Sequence, residues 1–172
     1  MARELVGAVA ESMELDRDYV EEALELKSSF QKFGGNFYPP CPEPDQTLGL
    51  PAHNDPGLFT ILLIRDGLPG LQIDRQDQWF EVNPPPNSMI VNMFTNGRCK
   101  SSRHRAVVNE ERERMSIAVG NGPGKDVMVG PAAPLVERDG RTFYRSMKYV
   151  QYVESQLTRA YNGMSILDEQ KI

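Results

Sequence analysis

The apolar residues of this chain change their period once the first helices end. Over residues 3–13, Leu5, Val6, Val9 and Met13 recur at the spacing that places them on one helix face, and over 18–27 Ala23, Leu24 and Leu26 do the same. Asp18 followed by Glu21 has the form of a capping box, and Gly34-Gly35 reads as the stop. Short apolar runs cut by Pro and Gly then take over: Leu58 to Ile64, Leu71 to Ile73, Trp79 to Val82, Met89 to Val91, Ala106 to Val108 and Ser116 to Val119. Asp66-Gly67 and Arg75-Gln76-Asp77 are the turns expected between antiparallel neighbours. After Val129-Gly130-Pro131 the pattern predicts a loop carrying Pro134, then a closing helix from Met147 to Gln156.

Short strands in this number predict a mainly β fold, a double-stranded β-helix (jelly roll, cupin-like) with N-terminal and C-terminal helices. The chain divides into a helical segment at 1–33, the jelly-roll domain at 34–130, and a C-terminal loop and helix packing on the barrel at 131–172. With 172 residues and 40% hydrophobic content it can bury one core without a second domain.

Charge and cysteine usage narrow the partners. A net charge of −5 argues against nucleic acid, which demands basic patches. The basic run Arg98, Lys100, Arg103, Arg105 is short and interrupted, the pattern of a solvated strand edge or of a local attractor for a small anion. Cys41 and Cys99 cannot build a disulfide framework, and no signal peptide or long apolar run is visible. The expectation is a cytoplasmic protein with no membrane partner, its oligomeric state left open.

The chain has two histidines, and both stand in suggestive places. His53 opens His53-Asn54-Asp55, and in an extended strand residues i and i+2 project from one face, so His53 and Asp55 can bind one ion together. His104 is the remaining imidazole. Two histidines and a carboxylate on one face of a metal leave the other positions open, which is the arrangement of non-haem Fe(II) oxygenases. Hydrogen-bonded strand histidines are the alternative. Zinc is the competing ion, although three ligands with no cysteine nearby describe an open rather than a structural site. Ten residues past His104, Arg114 and Ser116 form another i, i+2 pair. Turned inward, guanidinium and hydroxyl can hold one end of a small dicarboxylate, and this is the orientation expected for Arg114; turned outward, it would belong to a solvated charge cluster.

Four strings carry a family resemblance: Asn36-Phe37-Tyr38-Pro39-Pro40-Cys41-Pro42, Leu48 through Gly57, Lys100 through Asn109, and Glu113-Arg114-Met115-Ser116-Ile117. In this order they resemble the plant-type 2-oxoglutarate and Fe(II)-dependent dioxygenases, the superfamily of flavonol synthase, anthocyanidin synthase and the downy mildew resistance-like oxygenases. The tail Ser165-Ile166-Leu167-Asp168 is similar to theirs as well. The resemblance implies His53, Asp55 and His104 on Fe(II), Arg114 and Ser116 on the distal carboxylate of 2-oxoglutarate, and polar contacts from Asn36 and Tyr38. It also implies O₂ as oxidant and a small plant-type metabolite (flavonoid, phenolic or hormone) as the molecule hydroxylated or desaturated. We place Phe59 and Phe94 in the substrate pocket.

The chain departs from the family pattern in three respects. Relatives are about twice as long, and their upstream part packs against the barrel, so a normally covered face is expected to be open here. Their Gly-Asp-containing stretch after Val91-Asn92 is shortened to Met93-Phe94-Thr95 before Asn96-Gly97, where a one-residue change of register would turn His104 away. After Arg114-x-Ser116 they carry an aromatic and a Pro, where this chain reads Val119-Gly120-Asn121-Gly122-Pro123. These differences define the second reading, a catalytically silent jelly-roll module that retains the metal triad.

Overall fold

The computed structural model describes residues 2–64, 68–82, 98, 101–159 and 170–172, the side chains of 157–159 excepted. Two helices come first, α1 (Ala2–Ser12) and α2 (Arg17–Ala23). The cap of α2 is Asp16 rather than the expected Asp18: its carboxylate accepts from the Tyr19 N–H at 2.9 Å. The second helix is also shorter than expected, because Glu25 takes a left-handed conformation (φ 46°) and a single 3₁₀ turn at Leu26–Ser28 follows.

Gly34-Gly35 ends no helix. It lies in the middle of β1 (Phe30–Tyr38), a strand that the apolar pattern hides because glycine is depleted in strands. The others are β2 (Leu48–His53), β3 (Phe59–Ile64), β4 (Leu71–Arg75), β5 (Gln78–Val82), β6 (His104–Val107), β7 (Arg114–Gly122), β8 (Met128–Val129) and β9 (Met147–Lys148). The turn expected at Arg75-Gln76-Asp77 joins β4 to β5, with Gln76 and Asp77 both at positive φ (55° and 61°), the geometry that matches the twist of a hairpin. The expected turn at Asp66-Gly67 and strand at Met89 to Val91 lie outside the described residues. The loop expected around Pro134 is instead α3 (Ala133–Asp139): Pro134 sits in the first turn, where its missing N–H costs nothing, and Gly140 closes the helix at φ 67°. The last helix, α4, spans Tyr149–Arg159.

Two antiparallel sheets result, β1-β7-β3 and β2-β6-β4-β5, with a small β8-β9 ribbon beside them. Their inner faces look at each other across the pocket described below, and the whole is a jelly roll with helices at both ends of the chain. The main core lies on the other side of the first sheet. There Phe59 and Ile61 of β3 pack with Leu15, Val20 and Leu24 from the N-terminal helices and Leu135 from α3. The helices leave part of that outer face bare: Phe33 and Phe37 are 70% and 56% exposed, and Leu63, Met115 and Ile117 beside them are exposed too. No helix among the described residues is long and apolar enough to cross a membrane.

Candidate active site

The second sheet brings the two histidines together. His53 ends β2, His104 begins β6, and the pair are direct cross-strand partners with ring centroids 4.3 Å apart. Leu50 and His53 both face the pocket although they are three residues apart, which a regular strand forbids. The register of β2 shifts between them, at Pro51-Ala52, and that irregularity returns His53 to the inner face. Asp55 lies beyond the end of β2, in the link to β3, so the expected strand carrying both residues stops at the histidine. The link is held by Asn54, whose Nδ2 donates to the Ser101 carbonyl at 2.7 Å.

The carboxylate sits between the rings: Asp55 Oδ1 is 3.5 Å from His53 Nε2 and 3.7 Å from His104 Nε2. One ligating atom from each of the three residues falls within 4.8 Å of the others. Each imidazole is oriented from behind. His53 Nδ1 donates to the Pro51 carbonyl at 2.8 Å and His104 Nδ1 to the Ser102 carbonyl at 3.0 Å, so in the neutral rings both Nε2 lone pairs point at the centre. Burial works against a charged His53, but the hydrogen bond to Asp55, the Pro51 carbonyl and the Asp55 charge together raise its pKa. His104 is lowered, burial outweighing the attraction of Asp55. Asp55 is lowered despite its burial by hydrogen bonds from His53 and Thr60 and by the charge of the two imidazoles. An oxygen held anionic and two imidazole nitrogens form a donor set that fits Fe(II).

The first sheet supplies the opposite wall. In β7 the usual arrangement is inverted: Arg114 and Ser116 are buried while Met115 and Ile117 face outward. Cross-strand partners on β1 are Tyr38 for Arg114 and Asn36 for Ser116, and Asn36 Nδ2 donates to Ser116 Oγ at 3.3 Å. The Arg114 guanidinium lies over the Tyr38 ring at 4.2 Å and is only 3% exposed. Gly70 backs it, leaving no room for a Cβ, which would come within 2.7 Å of Nε. Burial lowers the Arg114 pKa against the pull of Tyr38. Among the described residues no carboxylate pairs with it, and its buried Nη2 has no hydrogen-bond partner. A buried guanidinium left with an idle donor is costly unless an anion completes it, and a carboxylate matches its fork. Triad, Arg114, Ser116, Asn36 and Tyr38 all line one pocket of about 110 Å³.

Other expected residues lie elsewhere. Phe59 is on the core side of β3, 1% exposed among the helices, and the pocket position belongs to its neighbour Thr60, which strand alternation points the other way. Phe94 and the shortened segment around it lie outside the described residues, as does the tail Ser165-Ile166-Leu167-Asp168. Of the basic run, Arg98 pairs with Asp139 at 2.7 Å, Arg103 with Asp74 at 3.4 Å, and Arg105 stacks on Trp79 at 4.2 Å. Arg98 and Arg103 are thereby tied into the framework, whereas Arg105, whose Nε also donates to Gln72 Oε1 at 2.7 Å, lines the pocket. The carbonyls of Pro51 and Ser102 left no signal in the sequence, since any residue supplies one.

A jelly roll carrying a His-Asp-His cluster opposite a buried arginine defines an iron- and oxo-acid-dependent oxygenase class. The chain belongs to the 2OG-Fe(II) oxygenase superfamily, whose model matches residues 29–123. It is 41% identical to Protein DMR6-LIKE OXYGENASE 1 of Arabidopsis thaliana, over 95% of this chain and 48% of the relative. It is 42% identical to Flavanone 3-dioxygenase 2 of Oryza sativa subsp. japonica, over 86% and 44% respectively. Among solved structures, JOX2 in complex with 2OG, Fe and JA matches with a TM-score of 0.83 at 33% identity, covering 90% of this chain and 48% of that one. The chain spans about half the length of the curated relatives it matches. The family's cofactor is Fe(II) and its cosubstrate 2-oxoglutarate.

Proposed function

We propose that this chain carries the catalytic barrel of an Fe(II)- and 2-oxoglutarate-dependent oxygenase that hydroxylates or desaturates a small plant-type metabolite, a flavonoid, phenolic or hormone. The observation that carries the reading is the pairing, across one pocket, of a metal-ligand cluster with a buried arginine lacking an anion. In this reading His53, Asp55 and His104 hold the iron. Arg114 and Ser116 receive the distal carboxylate of 2-oxoglutarate, with Asn36 and Tyr38 completing the polar wall. When bound, iron and cosubstrate would supply the O₂ chemistry in which one oxygen atom enters succinate as 2-oxoglutarate loses CO₂, and the other is inserted into a substrate C–H bond or leaves as water with two substrate hydrogens. The chain's own part is to present three ligands from one side, fix both imidazole tautomers through backbone carbonyls, and keep an apolar wall of Leu62, Leu71 and Ile73 around the reacting atoms.

The division into a helical segment at 1–33, a jelly roll at 34–130 and a C-terminal part at 131–172 goes with this reading, as do a small-molecule partner, no nucleic-acid or membrane partner, and a cytoplasmic location. Anaerobic titration with Fe(II) and 2-oxoglutarate tests it. A visible metal-to-ligand absorption band, followed by succinate release in air, is expected; its absence in protein shown to be folded overturns the reading. A second reading, a catalytically silent jelly-roll module, draws on the bare outer face at Phe33, Phe37 and Ile117. It predicts metal binding without succinate release.

A further inference from the structure

Past the triad the pocket opens into an outer chamber of about 580 Å³, a size suited to a small organic molecule. Its floor is the inner face of β1 and β7, where Gly34 stands opposite Ala118 and Lys32 opposite Gly120. Tyr149 and Val153 of α4 form the facing wall. The two glycines answer to no backbone need, since neither has a positive φ. Nor does packing exclude a side chain: a Cβ at Gly34 would meet nothing nearer than the Ala118 carbonyl at 3.9 Å, and one at Gly120 nothing nearer than the Lys32 carbonyl at 3.7 Å. Glycine weakens a strand interior and commonly marks the close approach of something else to the backbone. Here the space it leaves is chamber.

Charge says what enters. Lys32 lines the chamber and has no ion-pair partner among the described residues. Phe30 of the chamber lining carries Lys125 against its ring, with Nζ 4.6 Å from the ring centroid. The carboxylate in the lining, Asp55, is engaged by the histidines and Thr60. We propose that the organic substrate is a small carboxylic acid, its carboxylate held at Lys32 and its apolar body laid over Gly34 and Gly120 against Tyr149 and Val153. The proposal rests on the oxygenase reading and deepens it.

The test compares 3-phenylpropanoate with its neutral amide, 3-phenylpropanamide, by calorimetric titration of the full chain with and without saturating 2-oxoglutarate. The acid is expected to bind roughly fivefold more tightly than the amide, the scale of a rim ion pair. Lys32→Met removes the preference. Gly34→Leu abolishes binding of both probes and Gly34→Ala weakens it, with the circular dichroism spectrum and 2-oxoglutarate affinity of the parent. Equal affinity for acid and amide, no binding of either probe to the parent, or a preference that survives Lys32→Met overturns the proposal. So does displacement of the acid by 2-oxoglutarate, which would place it at Arg114, or unchanged binding in both Gly34 variants. A parent that shows the Lys32-dependent preference but binds no 2-oxoglutarate would instead overturn the oxygenase reading alone.

Discussion

His53 and His104 face each other directly across β2 and β6, each donating its Nδ1 proton to the carbonyl two residues before it. The two candidate ligands are therefore built by one repeated local device, and their Nε2 atoms converge because the strands are paired. Asp55, reaching back from the link to β3, completes the triangle.

Removing a corner of that triangle separates the roles of the two pocket walls. His53→Ala or Asp55→Ala is expected to abolish Fe(II) binding. Arg114→Ala should leave the iron in place and weaken 2-oxoglutarate by about 2–5 kcal/mol, the cost of losing one partner of a buried charged pair. Calorimetry under anaerobic conditions distinguishes them, and equal 2-oxoglutarate affinity in the Arg114 variant and the parent would refute that assignment.

The register shift at Pro51-Ala52 makes a sharper demand. Deleting Ala52 leaves Leu50 and His53 two residues apart, a spacing at which a regular strand keeps both on the inner face, so Fe(II) binding should survive together with the far-ultraviolet spectrum. Loss of Fe(II) binding in the deletion variant would show that the irregularity does more than compensate the three-residue spacing.

Phe59 and Thr60 are neighbours with opposite duties. Phe59→Ala should cost about 3–5 kcal/mol in urea unfolding, as expected for a large aromatic lost from a packed core, and leave 2-oxoglutarate affinity unchanged in the folded protein. A loss of ligand affinity without a loss of stability would return Phe59 to the pocket.

The bare patch on the first sheet should associate. Phe33→Thr combined with Ile117→Thr keeps β propensity while removing apolar surface, and sedimentation velocity at high concentration is expected to show less self-association than in the parent. Identical profiles would mean that the patch is inert.

Alkaline pH probes the wall made by α4. Burial raises the Tyr149 pKa from 10.0 to about 12, with a further contribution from Tyr152. A proton held more tightly in the folded than in the unfolded chain favours folding below the unfolded value, and the benefit is lost as pH rises toward the folded one. Stability should fall by roughly 1.4 kcal/mol per pH unit between about pH 10 and 12 from this residue. Tyr149→Phe is expected to flatten that slope, and an unchanged slope in a denaturant series at several pH values counts against it.

Much of this protein was determined by its sequence alone. Ligand types, their chain order, and the Arg114–Ser116 pair are properties of residue identity, and the mainly β body follows from short apolar runs whose period is local. The tertiary structure decided what no local pattern encodes. Strand β1 was hidden by its glycines, which a paired neighbour and a chamber make tolerable. The inward turn of Arg114 runs against hydrophobic burial and is set by pairing with Tyr38 on one strand while Met115 and Ile117 are pushed outward. Phe59 and Thr60 exchanged roles because helices cover one face of β3 and the pocket the other. The meeting of His53 with His104 is a matter of sheet order: which strand lies beside which is a contest of long-range pairings, and only the folded chain settles it.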